Sequence, residues 1–400
     1  MLAGAPSPRT LFAGLTPQAP DAVLSLIAAF RDDPRPGKID LGVGVYRDED
    51  GATPVLRAVK AAEAILLETQ ASKAYLGPEG DLEFLERLAP LIFGPGDVGR
   101  GFLSIQTPGG TGALRVAADL ASAGSLGARI WLGVPTWPNH PSMFAQAGLQ
   151  VMTYRHFDPA TQTVRFDELM SALDQARAGD LVLLHGCCHN PTGVDLTRDQ
   201  WRTVAARLAE RGLTPLIDLA YQGLGEGLED DAAGLRIVLD AVDTAMVAYS
   251  CDKNFGLYRE RTGALFVRAP GCAEVVRSNM LFMARCAWSM PPDHGAAAVR
   301  TILGSETLSA QWRAELEAMR RRLVSVRAAL SGAAPHLAAL RRQHGMFSLL
   351  PISPDQVERM RREHGVYMAG SGRINLAGLT AATVPTFVKA LDACLLGEPA

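Results

Sequence analysis

DLVLLHGCCHNPTGVDLTRDQWRTVAARLAERGLTPLID, residues 180–218, is the stretch whose reading decides the fold. It opens on the apolar run DLVLLHG (180–186), passes through a helical pattern over 197–212, and returns to an apolar run, TPLID (214–218). Two short apolar runs separated by a helix form a strand–helix–strand unit, the connection that parallel strands need. Outward from it, ARIWLGV (128–134), DTAMVAYS (243–250) and GALFVR (263–268) read as further buried strands, and 111–123 and 166–177 as helices. Near-continuous apolar strands interleaved with helices predict an α/β fold with a mostly parallel central sheet, covered by helices on both faces.

Four hundred residues exceed what one hydrophobic core organises, so two domains are expected. After Pro291–Pro292 the character changes. A long charged amphipathic stretch, SETLSAQWRAELEAMRRRLVSVRAALSG (305–332), precedes a mixed segment. The expected division is a large domain over 54–305 and a smaller α/β domain built from both chain ends, 1–53 and 306–400, bridged by the helix near 305–332. The run Arg320–Arg321–Arg322 reads as a solvated helix face.

With 48% apolar and 20% charged residues and a formal charge of −3, the chain has the composition of a globular domain and no electrostatic reason to bind nucleic acid. No uncharged apolar run approaches the ~18–20 residues needed to cross a bilayer. The opening MLAGAPSPRTLFAGL lacks a basic segment followed by a sustained apolar one, so secretion is not expected. Six cysteines without framework spacing fit a reducing compartment, and a cytoplasmic location is expected.

In such sheets ligands bind beyond the carboxyl ends of the strands, and polar residues collect at those positions. Asp218 ends TPLID, with Tyr221 close behind, and Asn190 follows DLVLLHG. Ser250 and Lys253 follow DTAMVAYS, and Arg261 lies a few residues on. Gly109–Gly110–Thr111 opens a helix after SIQTP, where free N–H groups and the helix dipole favour a phosphate. Singly these features are ordinary: a strand-end Asp that caps, a solvated lysine, a turn. Together they meet the needs of pyridoxal phosphate: an amine for its aldehyde, an anion for its ring nitrogen, donors for its phenolate and a phosphate cradle.

Ten motifs carry a resemblance to a known family. They include LGVGVYRDEDGATPVL (41–56), YLGPEG (75–80), QTPGGTGALRVAADL (106–120), PTWPNH (135–140), HGCCHNPTG (185–193), KNFGLYRERTGA (253–264), GMFS (345–348) and SGRINLAGL (371–379). In order and spacing over roughly 10–395 the chain resembles the aspartate and aromatic amino acid aminotransferases, which belong to the fold type I pyridoxal-phosphate enzymes. The resemblance implies that Lys253 holds the cofactor as a Schiff base and moves the substrate proton. It implies that Asp218, supported by His140, pairs with the ring nitrogen. Tyr221 and Asn190 would donate to the phenolate, and Trp137 would stack on the ring. Gly110, Thr111, Ser250 and Arg261 would hold the phosphate, with Tyr75 reaching it from the second subunit of a homodimer. Arg373 would grip the substrate α-carboxylate, Gly44 would line the entrance, and the second subunit's copy of Arg285 would meet a distal carboxylate.

The implied reaction is ping-pong transamination of tyrosine, phenylalanine or tryptophan with 2-oxoglutarate, aspartate being a secondary donor. Ala74, Trp288 and Met290 stand where aspartate-specific relatives carry Asn, Tyr and Asn, which favours rings over carboxylates. A strict aspartate aminotransferase, a lyase or decarboxylase on the same fold, and a cofactor-binding regulatory module are the competing readings. Asp252 replaces a small residue beside the Schiff-base lysine, and its side chain is expected to turn away from the phosphate. His185, Cys187, Cys188 and His189 could be read as a zinc site, but four ligands from five residues are strained. No metal is expected.

Overall fold

The computed structural model describes residues 11–12, 14–17, 22–96 and 101–396. The first ten residues, read above for a secretion signal, and the last four of the expected small domain lie outside the described residues.

In chain order the strands used here are β1 (Ile39–Asp40), β2 (Phe102–Pro108), β3 (Arg129–Val134), β4 (Gln150–Arg155), β5 (Leu181–His185), β6 (Thr214–Leu219), β7 (Ala245–Ser250), β8 (Thr262–Arg268), β9 (Phe347–Leu349), β10 (Val366–Tyr367) and β11 (Arg373–Asn375). The helices are α1 (Gly109–Gly124), α2 (Phe166–Gln175), α3 (Arg198–Arg211) and α4 (Glu306–Ala333). β2 to β8 form one seven-stranded sheet in the order β2-β8-β7-β6-β5-β3-β4. Pairings among β3, β4, β5, β6 and β7 are parallel, whereas β8 is antiparallel to both of its neighbours. The expected strands and helices are present within one or two residues of their ends. β2 and β4 were not anticipated as strands.

Both faces of the sheet are covered, and each strand feeds both cores. In β5, Val182 and Leu184 join one buried cluster while Leu181 and Leu183 join the other. In β6, Ile217 and Leu216 divide the same way. Burial of alternate side chains on opposite faces is why these strands lack an apolar/polar alternation. At about 1.5–3 kcal/mol for each large side chain taken from water, this two-faced burial is the main support of the sheet. α3 shows the local logic of the coverings. Thr197 and Gln200 form a reciprocal capping box at its start, and Gly212, at φ 62°, ends it in the left-handed region.

The two ends of the chain meet. β1 pairs in parallel with β10, and the Asn375 amide donates to the carbonyls of Val43 and Val45. α4 packs on the helices Arg57–Thr69, Asp293–Leu303 and Val384–Leu396, with its fully buried Trp312 stacked 4.3 Å from Phe255. Arg322 departs from the expected solvated face. Its side chain is nearly buried, and its guanidinium donates to the carbonyls of Asp48, Ala377 and Leu379. Three carbonyls from both chain ends, with the Glu49 carboxylate 2.8 Å from Nε, repay the desolvation of that cation.

Candidate active site

The carboxyl ends of β3, β5, β6 and β7 open into a cavity of about 280 Å³. Of the residues singled out above, Gly44, Gly110, Thr111, Trp137, Asn190, Asp218, Tyr221, Ser250, Lys253, Arg261 and Arg373 line it. Tyr75 and Arg285 do not. Tyr75 is 93% exposed, and Arg285 lies on the surface, donating to Ser289 Oγ at 2.7 Å.

Asp218 sits one residue before the end of β6 and accepts from His140 Nε2 at 3.1 Å. His140 Nδ1 in turn lies 2.8 Å from Thr136 Oγ1, so the hydroxyl fixes the ring. Burial pushes the Asp218 carboxyl up, but the hydrogen bond and charge of His140, with Lys253 beyond, outweigh it and hold the group below its ordinary value. Lys253 follows the exit of β7 with its Nζ 5.6 Å from the centre of the Tyr221 ring. Burial lowers its ammonium pKa, against the opposing pull of Asp252 and Asp218. An amine there is readier to lose its proton than one in water. Burial raises the Tyr221 phenol, which keeps its proton and can donate it. The Asn190 amide reaches the same hydroxyl at 3.4 Å.

Arg373 enters from β11, 7% exposed, donating to the Gly42 carbonyl at 2.8 Å and lying 4.6 Å from the centre of the Phe347 ring. Its Nε and the Asn190 Oδ1 are buried without a hydrogen-bond partner. Such orphans are costly unless a ligand completes them. α1 begins at the cavity with no side chain capping it, so the N–H groups of its first turn stay open to an anion.

Three features were not foreseen. His185 and Phe347 also line the cavity. His185, at the end of β5, carried the same strand-end signal as Asp218, but it was read with the neighbouring cysteines. Those residues do not converge: His185 groups with His140 and Asp218, whereas Cys187 and Cys188 group with Asp231. Asp252 does not turn away. It lines the cavity and pairs with Arg261, because a buried carboxylate needs the cation nearest to it.

Comparison with known proteins agrees with this geometry. The family model described as aminotransferase class I and II matches residues 36–391. The tyrosine aminotransferase of Rhizobium meliloti (strain 1021) is 56% identical over 379 residues, 93% of this chain and 97% of that protein. The aspartate aminotransferase of Escherichia coli (strain K12) is 45% identical over 396 residues, 96% of this chain and 100% of that protein. The solved aromatic-amino-acid aminotransferase from Burkholderia pseudomallei, covalently bound to pyridoxal phosphate, superposes with a TM-score of 0.93 at 37% identity, covering 96% of this chain and 100% of that one. A match running nearly from end to end, on a sheet whose strand ends bring the amine and the carboxylate to the cavity that Arg373 enters from β11, shows that the chain belongs to the class I and II aminotransferases, enzymes that work with pyridoxal phosphate.

Proposed function

We propose that the cavity transfers the amino group of aromatic L-amino acids to 2-oxoglutarate in a ping-pong cycle, with aspartate as a secondary donor. The observation that carries the reading is the gathering in one cavity of a lysine whose burial disfavours its charge, a carboxylate kept ionised by His140, and a buried arginine with an unpartnered Nε. Pyridoxal phosphate fits the same residues. The uncapped start of α1 with Thr111, Ser250 and Arg261 suits its phosphate. Asp218 suits its ring nitrogen, and Tyr221 and Asn190 suit its phenolate.

When bound, the cofactor supplies an aldehyde that takes up the amino group and a ring that accepts electrons. Asp218 holds a proton on the ring nitrogen, and His140 keeps that carboxylate oriented and charged. Lys253 Nζ, once free, would take the proton from the substrate Cα and return it two bonds away, past the shared nitrogen, to the carbon that had been the cofactor's aldehyde. Trp137 covers a ring face. Arg373 fixes the α-carboxylate as a bidentate pair, which orients the Cα–H bond.

The second product-forming half of the cycle must seat a dicarboxylate where a ring sat before. Arg285, contributed by the partner of a homodimer, answers that need. Ala74 and Met290 lack the amides that would tether it, so it can leave when a ring enters. The relatives named for tyrosine and aromatic amino acids support this preference. The division into a 54–305 domain and a small domain from both chain ends belongs to the same reading, supported by the β1–β10 ladder. The test is kcat/KM for phenylalanine, tyrosine, tryptophan and aspartate against 2-oxoglutarate. The best aromatic substrate should exceed aspartate; aspartate ahead of all three would leave a strict aspartate aminotransferase. Loss of the visible cofactor band on adding an amino acid alone separates transamination from a purely regulatory role.

A further inference from the structure

Nothing in the proposed reaction calls for Asp252, yet it is a carboxylate only 2% exposed at the cavity wall. One of its oxygens accepts from the Arg261 guanidinium and the other from the Thr262 N–H at 3.3 Å. Its own N–H points at Ser250 Oγ, 3.3 Å away. The same Arg261 nitrogen also donates to the Tyr258 carbonyl at 3.2 Å. The pair abuts the open start of α1. A Cβ built on Gly109 would fall 2.6 Å from Arg261 Nη2 and 3.0 Å from Asp252 Oδ2. The arginine and the helix start that suit a phosphate therefore already have an anion beside them, and it is part of the chain.

We propose that Asp252 is an internal counter-ion of the phosphate cradle, which occupies Arg261 when the cofactor is absent and weakens the hold on phosphate when it is present. The proposal rests on the phosphate lying at the start of α1, as read above. A phosphate monoester carries about −1.5 to −2 charge at pH 7. To use Arg261 it must share the guanidinium with Asp252, and two anions around one cation in a partly desolvated site repel each other more than they would in water. The effect falls hardest on the aminated cofactor. That form has no aldehyde for Lys253 to bond, so noncovalent contacts alone retain it. Asp252 thereby makes the cofactor easier to exchange halfway through each cycle.

The test uses protein stripped of cofactor, with ligand Kd values read from quenching of tryptophan fluorescence. The ligands are pyridoxamine phosphate and the phosphate-free pyridoxal. Asp252→Asn removes the charge and keeps an oxygen for the Thr262 N–H, while Asp252→Ala removes both. Both variants should bind pyridoxamine phosphate at least about tenfold more tightly than the parent, the scale expected for removing one close like charge. Pyridoxal affinity should change less than about twofold, since it lacks the phosphate that Asp252 repels. Unchanged or weaker binding of pyridoxamine phosphate by Asp252→Asn, with pyridoxal affinity retained, overturns the proposal. Equal tightening of both ligands overturns it too, because the effect would not involve phosphate. Arg261→Ala separates the two levels of inference. If it leaves pyridoxamine phosphate affinity unchanged, the phosphate placement itself fails. If it weakens binding while Asp252→Asn does not tighten it, only the counter-ion role fails.

Discussion

At the scale of single residues, Lys253 carries the strongest expectation. Its amine is the one whose burial, beside Asp218 and Tyr221, suits both bonding an aldehyde and moving a proton. Lys253→Ala should retain the cofactor through its phosphate and ring contacts while turnover falls by ~10²–10⁴-fold, the usual cost of losing a positioned base. Borohydride reduction followed by peptide mapping should place the cofactor label on Lys253, and a label on another lysine would reject the assignment. Residues of this kind were legible because strand ends in an α/β sheet point toward one place. Asp252 and Arg322 were not. A charged side chain in a sequence says nothing of its partner, and the fold supplied both: Arg261 for one, Glu49 and three carbonyls for the other.

At the scale of elements, the decisive contact is the crossing of β8 with the start of α1. A Cβ on Gly263 would fall 2.5 Å from the Gly109 carbonyl carbon and from the Tyr249 oxygen, both backbone atoms that cannot yield. Gly263→Ala should therefore cost about 1–3 kcal/mol, typical of overpacking, and push the helix start out of line with the phosphate. Denaturant melts and the pyridoxamine phosphate Kd check the two effects together; a variant unchanged in both would show that the crossing is looser than its distances. The parallel strands were legible from apolar runs alternating with helices. The reversed direction of β8 was readable too, and was missed. The link from Ser250 to Thr262 is too short for the crossover that a parallel partner needs. β2 and β4 escaped notice because their burial is broken by half-exposed and exposed positions, which dilutes the apolar signal.

At the scale of the whole molecule, two properties extend beyond any one element. The first is a buried set of imidazoles. His156 stacks on His189 at 4.2 Å, and His189 lies 4.1 Å from His185. Burial lowers His156 to about 4 and His185 to about 3, so both are neutral in the native protein at pH 7. Unfolded, they would take up protons near pH 6.5. Because the unfolded state binds more protons in that window, stability should be lost as pH falls below ~6.5 and keep falling toward pH 4. Between pH 7.5 and 5, His156→Leu should lose about 2 kcal/mol less than the parent in urea unfolding. An equal loss would remove His156 from the account.

The second property is substrate range. Arg285→Leu should slow the aspartate and 2-oxoglutarate half-reactions roughly 10²-fold, as for a lost buried polar pairing, and leave phenylalanine within a few-fold. Equal losses in single-turnover measurements would reject a swinging arginine. Mixing Arg285→Leu with Lys253→Ala subunits tests the shared site: if the partner supplies Arg285, hybrid dimers should restore aspartate turnover at the one site that combines Lys253 of one subunit with Arg285 of the other, and hybrids as inactive as either parent variant would reject sharing. The β1–β10 ladder adds a constraint on how the protein is made. Arg35 donates to the Arg362 carbonyl beside that ladder, across 327 positions of chain. At a synthesis rate of ~5–20 residues per second, the early segment waits roughly 16–65 s on the ribosome for its partner. Through that interval Leu41, fully buried in the finished protein, lacks the Tyr367 carbonyl and the Asn375 N–H that hold its backbone, so the newborn chain carries an apolar segment whose backbone partners are not yet made.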